Sequence, residues 1–173
     1  MIRLLYMIEP NQTIYKERRP RCYGNKNKKL PVGIEMFRDI REHDFYYIDK
    51  TGFIKELLES WTEVNLFTRP RRFGKSIAAN MLTAYYSRGC DAEQLFSQFE
   101  ISKDMDFKKY LNQYDTISVN MQEILSRSHN VCELISRFGR LIIRDLKNEY
   151  PDVDYFDDTD VIECMQDVYA QKN

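Results

Sequence analysis

The sequence predicts an α/β domain built on a parallel sheet, and three observations carry that expectation. Residues 64–68 (Val-Asn-Leu-Phe-Thr) form a short apolar run that ends in a turn, after which Ile77, Ala78, Met81, Leu82 and Tyr85 recur at helical spacing. Residues 116–120 (Thr-Ile-Ser-Val-Asn) read as a second core strand. Beyond it Val131, Leu134, Ile135, Phe138, Leu141, Ile142 and Leu146 keep an i, i+3, i+4, i+7 register. Strand, loop, helix, strand, helix is the ordering of a parallel sheet covered by helices. Ligands of such a sheet sit beyond the C-terminal ends of its strands, where residues 69–76 fall.

Taken in order, residues 1–29 read as a basic, disordered tail, because Pro10, Pro20, Gly24 and scattered asparagines interrupt every candidate period. Ile34, Phe37 and Ile40 predict a short helix over 34–41, and the aromatic, β-branched run at 45–48 predicts a strand. Asp49 or Thr51 caps the next helix, whose apolar face is Phe53, Ile54, Leu57 and Leu58. The helix after the 64–68 strand is expected over 75–87, stopping near Gly89. Residues 91–99 and 107–111 predict short helices, 130–149 a long one that Pro151 ends, and 158–170 a last one opened by acidic residues. The domain is therefore expected over 30–173.

Composition bounds the function. At 173 residues, 43% hydrophobic and 31% charged, the chain is an ordinary folding domain with room for one substantial core. A net charge of -1 gives the whole molecule no electrostatic pull toward nucleic acid or membrane. Charge is uneven within it: Lys16, Arg18, Arg19, Arg21, Lys26, Lys28 and Lys29 face only Glu17, whereas residues 145–173 hold nine acidic residues against Lys147 and Lys172. Such runs read as solvated faces. Cys22, Cys90, Cys132 and Cys164 form no paired spacing, and with His43 and His129 they offer no zinc pattern, so a reduced, intracellular protein is the simplest expectation. The apolar opening at residues 1–8 is cut off by Glu9 and Pro10, and no later run approaches the roughly 20 residues of a membrane span.

The chemistry-bearing stretch is Arg69-Pro70-Arg71-Arg72-Phe73-Gly74-Lys75-Ser76. Gly-Lys-Ser between a strand and a helix matches a phosphate-binding loop, in which backbone N–H groups and the helix N-terminus face a phosphate, the lysine reaches the outer phosphates and the hydroxyl ligates Mg²⁺. Here the N–H groups of Arg72, Phe73, Gly74 and Lys75 would form the cradle, Lys75 would neutralise the β- and γ-phosphates, and Ser76 would hold Mg²⁺. The first glycine of the general pattern is replaced by Arg69. A different reading makes the basic tail and the loop arginines a grip for nucleic acid or another partner. The twelve tyrosines and ten phenylalanines read as core filling before base stacking.

Leu30-Pro31-Val32-Gly33, Tyr46-Tyr47-Ile48-Asp49-Lys50-Thr51 and Leu66-Phe67-Thr68-Arg69-Pro70-Arg71-Arg72-Phe73-Gly74-Lys75-Ser76 together resemble the AAA-ATPase-like family. The resemblance runs over residues 30–173 and is densest from 30 to 81. It implies the N-terminal part of a P-loop NTPase three-layer sandwich, with ATP and Mg²⁺ as ligands, and members are often joined downstream to a PD-(D/E)XK nuclease-like domain. In the family the missing first glycine is usual, so Arg69 is a trait of the group. The resemblance also implies an apolar strand ending in Asp-Glu after the long helices, the Walker B element that holds Mg²⁺. The chain stops at Asn173 where that strand is expected, so the expectation is a truncated, ATP-binding portion with hydrolysis doubtful and no catalytic residue assigned. Three acidic or strand-like segments, 45–49, 116–120 and 154–160, substitute for it poorly. Asp49 and Lys50 match a family block, and they equally read as a capped helix start with a surface ion pair.

Overall fold

The amphipathic registers become helices, but the strand-like runs do not become the predicted sheet. The computed structural model describes residues 3–4, 28–60, 64–68, 70 and 72–172. Over these residues helix takes 54% and strand 3%, which overturns the parallel-sheet three-layer expectation. The one ladder pairs β1 (Arg3–Leu4) with β2 (Thr116–Ile117) in parallel, two residues on each side. A buried parallel sheet needs strands covered on both faces. Residues 64–68 are extended without a ladder, and Val64 and Leu66 are 80% and 60% exposed. Residues 45–48 are extended too, yet the Phe45 N–H donates to the Ile40 carbonyl and the Tyr46 N–H to the Lys29 carbonyl, which spends those donors outside the predicted sheet.

Helices supply the core instead. The described residues pack as two compact units, 2–118 and 119–173. In the first, α1 (Phe37–Glu42), α2 (Gly52–Ser60), α3 (Lys75–Tyr86), α4 (Glu93–Phe96) and α5 (Phe107–Tyr110) surround an aromatic centre, with a 3₁₀ turn at Glu100–Lys103 between the last two. Phe37, Ile54, Met81, Leu82, Tyr85 and Phe96 are fully buried. Phe96 stacks against Phe37 at 5.1 Å and meets Tyr85 edge-on at 5.6 Å between centroids. Burying a side chain of this size contributes roughly 1.5–3 kcal/mol, so direct helix-to-helix burial replaces what a sheet face would have covered. Tyr47 joins this centre, touching Phe37 and Phe99 at 5.3 and 5.4 Å and donating its hydroxyl to Met81 Sδ at 3.4 Å.

Asn112 holds the C-terminal end of α3. Its φ of +55° suits asparagine better than most residues. Its Nδ2 donates to the Ala84 carbonyl at 2.9 Å and the Ser87 carbonyl at 2.8 Å, its Oδ1 accepts from the Ala92 N–H at 3.2 Å, and its own N–H donates to Tyr85 at 2.7 Å. Helix-end carbonyls that lose such donors carry a desolvation cost.

The second unit contains α6 (Met121–Ser126), α7 (Val131–Glu149) and α8 (Val161–Lys172). Helix α6 was not anticipated: Asn120, expected as the end of a strand, caps it by accepting from the Gln122 N–H at 3.1 Å. Helix α7 has the expected span, with Ile142, Ile143 and Leu146 buried but Val131 and Ile135 of the expected face exposed, and is capped by Asn130 through the Glu133 N–H at 2.8 Å. Gly139 lies where α8 comes closest, since a Cβ there would stand 3.2 Å from Val161 Cγ2. The acidic opening of α8 does specific work, with Asp160 Oδ1 accepting from Ile162 at 2.7 Å and Glu163 at 3.1 Å.

Two stability outcomes follow from this packing. Asn112→Ala should cost about 2–3 kcal/mol in urea denaturation, because it removes the carbonyl donors and the left-handed preference together. Asn112→Gly should cost less, since it keeps the backbone conformation. The second concerns Asp104, whose carboxyl titrates below its ordinary range because Lys55 Nζ donates to it at 2.8 Å and the Asp106 N–H donates at 3.0 Å. With the folded value depressed, its contribution is complete above the unfolded carboxylate pKa and is lost as pH falls through the folded one. Asp104→Asn should therefore lower the melting temperature at neutral pH, and the gap from wild type should close below about pH 4.

Candidate functional site

The turn that opens α3 combines a left-handed backbone with a glycine at the N-cap. Gly74 is the N-cap residue at φ 75° and ψ 29°, a conformation that costs a residue with a Cβ about 1–2 kcal/mol. The Ala78 N–H donates to its carbonyl at 3.0 Å, which starts the helical ladder. Arg72, two residues earlier, is also left-handed at φ 67°. Alternating left- and right-handed residues turn successive N–H groups toward one side, and such a concavity suits an anion.

The N-cap Gly74 has no side chain with which to cap α3, and the first turn of the helix contains no acidic residue. Asparagines cap α6 and α7, and acidic residues stand in the first turns of both. The positive end of the α3 dipole is thus left without a carboxylate from its own first turn, while Lys75 begins the helix. Lys75 Nζ donates back to the Pro70 carbonyl at 3.3 Å across the turn. Ser76 is exposed on the first turn, Arg72 is exposed beside it, and Phe73 is 55% exposed. Residues 64–68 lead into the turn and are pinned to α2 by Phe67, whose ring meets Phe53 edge-on at 4.2 Å.

The Asp49-Lys50-Thr51 block lies at this same turn, and its residues divide the work. Asp49 Oδ1 accepts from the Thr51 N–H at 2.8 Å and the Thr51 hydroxyl at 2.6 Å, while Oδ2 accepts from the Glu100 N–H at 3.1 Å. Thr51 is fully buried, and the Phe53 N–H donates to the Lys50 carbonyl at 3.1 Å. These bonds fix the turn that leads into α2. Lys50, however, extends to the loop: its Nζ stands 3.3 Å from the position a Cβ on Gly74 would take. Sequence reading named the block but did not bring Lys50 to Gly74, and the available signal was the fixed separation of the two blocks.

Of the expected residues, Arg72, Phe73, Gly74, Lys75 and Ser76 form one continuous turn and helix start. Arg69 and Arg71 lie outside the described residues, as does the tail up to residue 27 apart from the Arg3–Leu4 strand. Lys28, at the end of that tail, is ion-paired with Asp44. The three acidic or strand-like segments have local uses: Asp49 fixes Thr51 and Glu100, Asn120 caps α6, and Asp157 accepts from the Thr159 N–H at 2.8 Å and hydroxyl at 2.7 Å. Among the described residues no helix is long and apolar enough to cross a membrane.

Comparison with known proteins places this turn within a broader similarity. A family model described as "Predicted AAA-ATPase" matches residues 31–171. A relative from Azotobacter chroococcum mcd 1, described as an uncharacterized protein in the vnfD 5'region, is 42% identical over 83 residues. That segment is 47% of this chain and 15% of the relative, so the chain spans a small part of the relative's length. No solved structure matches.

Proposed function

This chain belongs to the predicted AAA-ATPase family, and on that premise we propose that it binds a nucleoside triphosphate, ATP, with Mg²⁺ at the turn formed by Arg72, Phe73, Gly74, Lys75 and Ser76. The observation that carries the reading is the left-handed Gly74 immediately before Lys75 and Ser76, as N-cap of a helix whose first turn holds no acid. A helix terminus of this kind favours phosphate, and a lysine and a hydroxyl at its start match the chemistry of a polyphosphate with its metal.

Each residue has a distinct part in that reading. The N–H groups from Arg72 to Lys75 line the phosphates. Lys75 exchanges its Pro70 carbonyl for the β- and γ-phosphates, replacing a neutral acceptor by a charged one at stronger hydrogen-bonding energy. Ser76, exposed on the first turn, offers its hydroxyl to Mg²⁺. Bound Mg²⁺ would neutralise phosphate charge and fix the polyphosphate conformation. The role is one of binding, and no residue here is assigned to hydrolysis.

Calorimetric titration with ATP and Mg²⁺ tests this. Lys75→Ala should weaken binding by at least about tenfold, the loss expected for a charged hydrogen bond to phosphate. Ser76→Ala should reduce the gain in affinity that Mg²⁺ gives. Unchanged affinity in Lys75→Ala would sink the reading.

A further inference from the structure

We infer that Lys50 is a second phosphate-contacting lysine of this site, reaching it from the segment before α2 and recognising the terminal phosphate of the nucleotide. The inference rests on the nucleotide-binding reading above and adds to it a residue outside the Gly-Lys-Ser motif. Its starting point is the position of the Lys50 ammonium. Apart from Gly74's own chain neighbours, Lys50 Nζ is the only atom among the described residues within 4 Å of the point where a Gly74 side chain would begin. Glycine at that position does two things at once: it permits the left-handed turn, and it leaves room for an ammonium over the turn.

Two lysines consequently converge on one turn from different directions. Lys75 belongs to the helix and folds back over the loop to Pro70, whereas Lys50 approaches from 24 positions before Gly74 in the chain. An ammonium group and the positive end of a helix each favour an anion, and a polyphosphate offers several charges to such groups. A triphosphate has the required charge and the length to meet both cations. The base and ribose have no charge to offer either.

The backbone around Lys50 is built to keep it there. Asp49 ties the preceding residue to Thr51 and to the Glu100 N–H, Thr51 is buried, and the Lys50 carbonyl accepts the first turn of α2. A lysine needed only for solubility would not require its neighbours to be fixed on both sides. The arrangement also explains why Asp49 is satisfied by local donors: it is the anchor, and Lys50 is the group it positions.

The experiment compares affinities of the full chain for ATP, ADP and AMP, each with Mg²⁺, in wild type, Lys50→Met, Lys50→Arg and Lys75→Ala. Lys50→Met should weaken ATP by about tenfold while changing AMP by less than about twofold, so the preference for ATP collapses. Lys50→Arg, which keeps the charge, should restore most of that preference. Equal losses for all three nucleotides would overturn the inference, because they indicate a distorted turn and not a phosphate contact. Unchanged ATP affinity in Lys50→Met, with Lys75→Ala still weakened, would overturn it as well and leave the nucleotide reading standing. Failure of Lys75→Ala to weaken ATP would instead remove the reading on which both rest. Should Lys50→Met fail to give a cooperative melt, Lys50→Gln serves in its place, with the same two outcomes deciding.

Discussion

Tyr85 has one polar atom inside an apolar enclosure, and the need to satisfy it orients the helix that the rest of the first unit packs around. The side chain is fully buried, its hydroxyl donates to the Phe107 carbonyl at 2.8 Å, and burial pushes its pKa well above the ordinary tyrosine value. A buried phenol without an acceptor would cost about 1–3 kcal/mol, so α3 is held in the one rotation about its axis that delivers this bond. Met81 and Leu82 are buried in that same rotation, and Phe37 and Phe96 close around them. The two ends of α3 are then set: Asn112 receives one, and the Gly74 turn opens the other.

Helices were far more legible in the sequence than strands, for a physical reason. A period of 3.6 residues sustained over several turns is a redundant signal, and α7 has the span that its apolar register implies, Val131–Glu149. Helix α2 likewise spans Gly52–Ser60 as its face implies. Strand runs of four or five residues offer no such redundancy, and their identity depends on what pairs with them. Phe45 to Ile48 has strand composition, yet Tyr47 packs its ring against Phe37 and Phe99 and the run joins no ladder. The 116–120 run divides, because Asn120 is a better helix cap than a strand residue. The sheet was inferred from the order of elements, and order alone does not supply the pairing partners.

The candidate site was legible where chemistry is local and illegible where it is tertiary. Gly74, Lys75 and Ser76 could be read together because they are consecutive, and the turn does place them at a helix start. Nothing local connects Lys50 to Gly74. Their proximity depends on α2 and α3 packing into a shared core through Ile54, Leu57, Met81 and Leu82, which periodicity marks as buried without saying against what. The same limit applies to Asp49, which reads equally as a cap or a ligand until Glu100 is seen to use its second oxygen.

That second oxygen gives Lys50 a fixed root. Bonded on one side to the next residue but one and on the other to a residue 51 positions away, the Asp49 carboxylate removes backbone freedom during folding itself. The side chain it roots is a four-carbon arm with an ammonium at its tip. In the proposed site, backbone entropy that binding would otherwise have to remove has already been spent in folding. The carboxylate would thereby act on affinity without approaching the ligand.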